Sequence, residues 1–219
     1  MNEDTMTYGV FPLIRKFSRP VVAGFSRLPV TPNQITTLSL ISGLGSAACF
    51  LHSSFQIRLL GALLFVICYI LDNCDGEVAR IKQLSSNFGK YYDTFVDWVI
   101  HTVLFLALGY SNYRDGDDVL WLWLGIFAGI GASINYIIGL FDRGKEKDDL
   151  YNNNIPLNQL ATGEILILIF RELSRADFCF ILLILTLLDF EWILLPAAAI
   201  GAQVYWFTRF ASSAKKFHV

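Results

Sequence analysis

Charge is scarce in this chain. Asp, Glu, Lys and Arg make up 16% of its 219 residues, against about 25% in soluble domains. That shortage argues against a freely soluble globular protein. Cysteine is sparse too, and Cys49, Cys68, Cys74 and Cys179 all fall in or beside apolar runs without forming a CxxC pair. Neither a zinc knuckle nor a disulfide framework is therefore suggested, and buried thiols acting as small apolar side chains fit the pattern better. No repeat of fixed period and no low-complexity tract is visible. The opening MNEDTMTYGVFPLIRKFSRP has no clean apolar h-region with a small-residue cleavage site, so no cleavable signal peptide is expected. The net charge of -2 says little, because position matters more than total. No nucleic-acid partner is expected.

What the chain has in quantity is apolar residues, 54% of the total, gathered into long runs. A bilayer-spanning helix needs about 20 mostly apolar residues. The expected fold is an all-α integral membrane protein of one domain over 1–219. Residues 8–28 alternate Val10, Phe11, Leu13, Ile14, Phe17, Val21, Val22 and Phe25 with Arg15, Lys16, Arg19 and Arg27. This pattern predicts an amphipathic juxtamembrane helix lying at the interface. A bundle of about six transmembrane helices should follow over 33–210, with spans near 33–52, 57–81, 88–110, 119–141, 176–188 and 192–210. Thr31 is a candidate N-cap for the first span, with Pro32 at its first helical position.

That layout places 15 of the 17 Lys and Arg residues on the side holding the termini, the 2–3 turn and the 4–5 loop. The other side keeps only Arg58 and Arg114. The asymmetry predicts that both termini are cytoplasmic and the membrane is the cell inner membrane.

Against this apolar background stands DNCDGEVARIKQLSSNFGKYYDTFVD, residues 72–97. Helix residues advance by about 100°, so Asp72, Asp75, Gly76 and Ala79 share one face, with Arg80 at its margin. Gly89, Asp93 and Asp97 are spaced i, i+4, i+8 and share a face of the next helix. A short turn between them makes the two helices antiparallel neighbours. All four carboxylates can then converge at the cytoplasmic end of the bundle.

Four converging carboxylates repel one another unless cations sit among them. Hard dications, Mg²⁺ or Mn²⁺, prefer such oxygen ligands. Two of them about 3.5–4 Å apart suit phosphoryl transfer. Three carboxylates on two dications leave a net positive charge for a pyrophosphate, and the fourth carboxylate can take a proton. Gly76, Ala79 and Gly89 remove bulk where a substrate must approach backbone, and Arg80 offers a charge-assisted donor to phosphate.

Other readings fit less well. A proton or cation relay in an ion-coupled transporter would account for acids in spans. It would not require paired glycines and an arginine at these spacings, and inverted repeats or helices broken at mid-membrane are not evident. An EF-hand loop fails because Cys74 breaks the ligand pattern. An aspartyl-phosphate enzyme would need an α/β sheet. A structural ion-pair cluster would need more than one nearby arginine.

The series Asp72-x2-Asp75-Gly76-x2-Ala79-Arg80-x8-Gly89-x3-Asp93-x3-Asp97 reproduces the signature of the CDP-alcohol phosphotransferases, also called CDP-alcohol phosphatidyltransferases. The TPNQIT stretch and the six-span layout also look like that family. The resemblance implies an enzyme of phospholipid biosynthesis that cleaves a CDP-alcohol, releases CMP and passes the phosphoalcohol to a hydroxyl acceptor. It implies that Asp72, Asp75 and Asp93 hold two divalent cations, and that Asp97 contacts a metal and acts as general base. Asp72, Gly76, Ala79, Arg80 and Gly89 would line the CDP site.

The expected donor is CDP-diacylglycerol or a related CDP-lipid, and the acceptor a polyol or polyol phosphate. The alternative is a CDP-headgroup donor, such as CDP-inositol or a CDP-amino alcohol. Arg143 and Arg175, at expected helix ends on the cytoplasmic side, are candidate acceptor contacts; ordinary flanking cations would look the same. Asn33 and Gln34 could touch substrate or merely cap a helix. His101, one turn past Asp97, reads better as a buried structural histidine than as a helper base. Gly125 and Gly129, and Ala128 and Ala132, permit close helix packing. That packing could lie within one bundle or in the homodimer the resemblance suggests.

Overall fold

The computed structural model describes residues 13–141 and 177–203, and among these the secondary structure is entirely helical. In chain order the helices are α1 (Ile14–Arg27), α2 (Pro32–Phe50), α3 (Phe55–Ile81), α4 (Asn87–Gly116), α5 (Leu120–Phe141) and α6 (Phe178–Leu187). A short 3₁₀ turn, Glu191–Ile193, leads into helical backbone over 194–203.

Three helices are long and apolar enough to cross a membrane: α3, α4 and, within α5, Leu120–Ile138. They correspond closely to the second, third and fourth expected spans. Helices α2 and α6 keep close to the bounds expected for the first and fifth spans but are not among the three. Helix α2 has 19 residues, but its sequence PNQITTLSLISGLGSAACF is too rich in Ser, Thr and Gly to reach the same mean hydropathy. Helix α6 is apolar but only 10 residues long, or about 15 Å. The expected span over 192–210 runs past the described residues. Helix α4 continues beyond Tyr110, the last residue of the apolar run, because SNYRDG stays helical until Asp117 turns left-handed at φ 52°.

Each junction has a local cause. Thr31 and Gln34 form a capping box at the start of α2, each side chain bonded to the other's backbone N–H. The Ser86 hydroxyl accepts from the Gly89 N–H at 3.0 Å and starts α4. Helix α3 ends with Gln83 at φ 57°, and the Leu84 N–H closes back on the Ala79 carbonyl at 2.9 Å. This is a Schellman closure. Helix α6 ends the same way, with Asp189 at φ 60° and the Phe190 N–H donating to the Leu185 carbonyl.

Helix α2 packs against both α3 and α4, α5 against α4, and α1 and α6 against α3. Phe50, Phe65, Ile100, Leu104, Leu108, Leu182 and Leu195 form the fully buried core between them. Small residues set the closest approaches. A Cβ on Gly43 of α2 would lie 2.7 Å from the Ile100 side chain of α4. Gly109 of α4 meets Gly125 of α5 backbone to backbone, where a Cβ on either would come within about 3 Å of the other helix. Gly129 faces Thr102. The α5 glycines thus pack inside the bundle, which answers the choice left open by their spacing.

Helix α1 lies across α3, burying Ile14, Ser18 and Val22, spaced i, i+4, i+8. Arg15, Lys16, Arg19 and Arg27 are exposed. Its start is capped from afar: the fully buried Asp177 carboxylate accepts from the backbone N–H groups of Leu13 and Ile14 at 2.8 and 2.9 Å. Its end is held by Lys82, whose ammonium donates to the carbonyls of Leu28 and Val30 at 2.6 and 2.8 Å.

Candidate active site

The end of the bundle where α3 stops and α4 starts carries the acidic segment. The i, i+3 and i, i+4 spacing puts Asp72 and Asp75 on the face of α3 turned toward Asp93 of α4. One carboxylate oxygen from each of these three residues lies within 4.8 Å of the other two. Asp75 is buried, at 5% exposure, and Asp72 and Asp93 are half-buried. Asp97 stands one turn deeper along α4 and outside this group of three.

An all-oxygen set of three carboxylates at this separation fits a hard dication rather than zinc or copper. Asp72, Asp75 and Asp93 are the residues that would hold it. Among the described residues, none of the ion pairs involves these three carboxylates. Arg80 lies at the edge, its guanidinium 3.7 Å from where a Gly76 Cβ would sit. Gly76 thus leaves α3 without a side chain beside an exposed arginine.

Gly89 is crowded rather than open. A Cβ there would lie 3.2 Å from both Asn33 Oδ1 of α2 and Ser86 Oγ. The absence of a side chain is what lets α2 reach α4 at this level. The two residues left open at the head of α2 therefore separate: Gln34 is spent on the capping box, whereas Asn33 points at α4.

Two further α2 residues reach the site, and the sequence analysis passed over both. The Thr36 hydroxyl donates to Asp75 Oδ2, and Thr37 Oγ1 meets the Tyr92 hydroxyl at 2.9 Å. Residues 33, 36 and 37 share a helix face, a spacing that could have signalled this third wall.

His101 is tied into the structure. Its Nδ1 lies 2.7 Å from the Asp97 carbonyl, which can only accept, so Nδ1 carries a proton. Its Nε2 then accepts from the Tyr69 hydroxyl at 2.8 Å. With both nitrogens engaged, the neutral ring braces α4 against α3, in agreement with the structural role expected for it. Arg143 and Arg175 lie outside the described residues.

At the opposite end of the bundle Arg58 and Arg114 are also engaged. Arg58 pairs with Asp189 and, at 3.0 Å, with the buried Glu191. Arg114 bonds to the Leu51 carbonyl and pairs with Asp115 at 2.9 Å.

Comparison with known proteins agrees with this geometry. Among curated proteins, the chain is 42% identical over 94 residues to the bifunctional IPC transferase and DIPP synthase of Archaeoglobus fulgidus, covering 43% of this chain and 18% of that protein. It is 34% identical over 134 residues to an uncharacterized protein of Aquifex aeolicus, covering 58% and 65%. It is 35% identical over 104 residues to a CDP-diacylglycerol–serine O-phosphatidyltransferase of Helicobacter pylori, covering 45% and 42%. Each match spans less than two thirds of the relative's own length. The model of one family, CDP-alcohol phosphatidyltransferase, matches residues 29–204, a stretch that contains every acidic residue of the site. The chain belongs to the CDP-alcohol phosphatidyltransferase family, a family of transferases.

Proposed function

We propose that the protein transfers a phosphoalcohol group from a CDP-alcohol to a hydroxyl acceptor, releasing CMP, with two divalent cations, Mg²⁺ or Mn²⁺, at the aspartate site. The observation that carries this reading is the convergence of Asp72, Asp75 and Asp93 from two helices at the family's spacing. When bound, the dications neutralise the pyrophosphate and stabilise the leaving CMP.

The chain's own residues then have distinct tasks. Asp72, Asp75 and Asp93 hold the cations, and Asp97 also contacts one. Asp72, Gly76, Ala79, Arg80 and Gly89 line the CDP site, where the bare α3 surface at Gly76 admits the donor and Arg80 donates to a phosphate oxygen. Asp97 removes the proton of the acceptor hydroxyl as that oxygen attacks the donor phosphorus, which general-base help typically accelerates by about 10²–10⁴-fold.

The donor in this reading is CDP-diacylglycerol or a related CDP-lipid, and the acceptor a polyol or polyol phosphate held by Arg143 and Arg175. The name of the Helicobacter relative supports the lipid donor. The name of the Archaeoglobus relative keeps a CDP-headgroup donor as the second reading.

In this reading the whole chain is one membrane domain, in which α2 and the segments about 176–188 and 192–210 would complete six spans with the three long apolar helices. The Lys and Arg asymmetry supports a site facing the cytoplasm of an inner-membrane protein. A homodimer would use a surface other than the α5 glycines, which are occupied within the bundle.

The test is a pair of variants measured for dication-dependent CMP binding and for CMP release. Asp75→Asn should impair both. Asp97→Asn should keep nucleotide binding and lose turnover by about 10²–10⁴-fold. Wild-type turnover in Asp97→Asn would remove its role as base.

A further inference from the structure

We infer that Thr36 is a positioning residue for the aspartate site, holding the Asp75 carboxylate in the orientation that receives the cation. This inference rests on the metal reading above.

Three observations carry it. Thr36 is buried, at 3% exposure, and so is Asp75 at 5%. Water therefore has little access to either group. The Thr36 hydroxyl donates to Asp75 Oδ2 from a helix 39 positions away in sequence. The same oxygen lies 3.1 Å from the Pro32 carbonyl. A hydroxyl carries one proton, and the charged carboxylate is the stronger acceptor, so the carbonyl is the weaker second contact.

The hydroxyl is itself held firmly. The Thr31–Gln34 capping box fixes the first turn of α2, and a β-branched side chain in a helix has few χ1 choices. With Oδ2 engaged, the carboxylate can no longer rotate freely, and its plane is set for a cation shared with Asp72 and Asp93. A ligand carboxylate oriented by a hydrogen bond needs less ordering when the metal binds, and removing such a partner typically costs about 10–100-fold in metal affinity or activity. Asp72 and Asp93 face each other across α3 and α4, whereas Asp75 is the ligand that α2 steadies. The third helix of the site thus acts on the metal through one hydroxyl.

The test compares wild type, Thr36→Val and Thr36→Ser in detergent by Mn²⁺ titration, followed by electron paramagnetic resonance of the free ion. Valine keeps the shape and removes the hydroxyl, and serine returns the hydroxyl. The expected result is Mn²⁺ binding weakened about 10–100-fold in Thr36→Val and largely recovered in Thr36→Ser. The Mn²⁺ concentration giving half-maximal turnover should move in parallel. If Thr36→Val elutes as a folded protein and binds Mn²⁺ like the wild type, the inference fails while the metal reading stands. If Thr36→Val does not fold, Thr36→Ala decides: Mn²⁺ binding like the wild type overturns the inference, and weakened binding that Thr36→Ser recovers supports it. If the wild type binds no Mn²⁺, the metal reading fails and this inference with it.

Discussion

The Tyr69 hydroxyl of α3 and His101 Nε2 of α4 are hydrogen-bonded at 2.8 Å. The other ring nitrogen is spent on the Asp97 carbonyl. His101 is therefore a brace, and the proposed reaction takes its base from the carboxylates. Tyr69→Phe should leave a buried ring nitrogen unpaired and cost about 1–3 kcal/mol of stability. The pH dependence of the remaining turnover should not change. Thermal unfolding in detergent and a pH–rate profile check both parts, and a shifted profile would restore His101 as a candidate base.

The two site glycines should respond differently to alanine. At Gly76 the added methyl would stand 3.7 Å from the Arg80 guanidinium, an ordinary contact, so Gly76→Ala should fold normally but bind CMP more weakly. At Gly89 the methyl would press on Asn33 and Ser86 at 3.2 Å. Gly89→Ala should therefore lower the melting temperature as well as activity. Equal melting temperatures for the two variants would contradict this distinction.

Asp177 holds the start of α1 without any covalent proximity. An asparagine there would set an amide NH₂ against one of the two N–H groups it now accepts. Asp177→Asn should cost about 1–3 kcal/mol, the penalty for a buried donor left unpaired. It should also raise protease cleavage near residue 14, since α1 loses its anchor at that end. Unchanged cleavage would show that Lys82, at the other end, is sufficient.

Gln83 ends α3 in the left-handed region, at φ 57°, a conformation that costs a non-glycine residue about 1–2 kcal/mol. Gln83→Gly should raise the melting temperature without altering turnover. A lower melting temperature would mean that the Gln83 side chain contributes more than its backbone costs.

Much of the site was legible from the sequence because the acidic segment obeys helical periodicity without interruption. Spacings of three and four residues decide which side chains share a face, and a short turn decides that the two faces meet. The meeting of Asp72, Asp75 and Asp93 follows from that, whereas Asp97, expected to converge with them, stands outside their group. The contribution of α2 was less legible. Asn33 and Gln34 looked equivalent, and only the capping box separates them. Thr36 was overlooked because a threonine in an apolar helix commonly bonds its own backbone, as Thr37 does with the Asn33 carbonyl. Helix and apolar run part company at the end of α4, whereas α6 keeps close to its expected bounds. Helix α4 runs on through polar residues to Gly116, and α6 stops after ten residues at a left-handed aspartate. Small-residue spacing cannot tell one bundle from two copies; the contact between Gly109 and Gly125 can.

The measurement that bears most directly on the proposed reaction runs it backwards. Purified protein would be incubated with CMP, Mg²⁺ or Mn²⁺, and lipids and metabolites extracted from the expressing cells, with Asp97→Asn as control. Mass spectrometry would then identify any CDP-alcohol formed. The expected result is a CDP-alcohol that forms only with wild-type protein and added dication, and CDP-diacylglycerol would favour the lipid donor over a CDP-headgroup. No CDP-alcohol, or an equal yield from Asp97→Asn, would contradict the proposed chemistry.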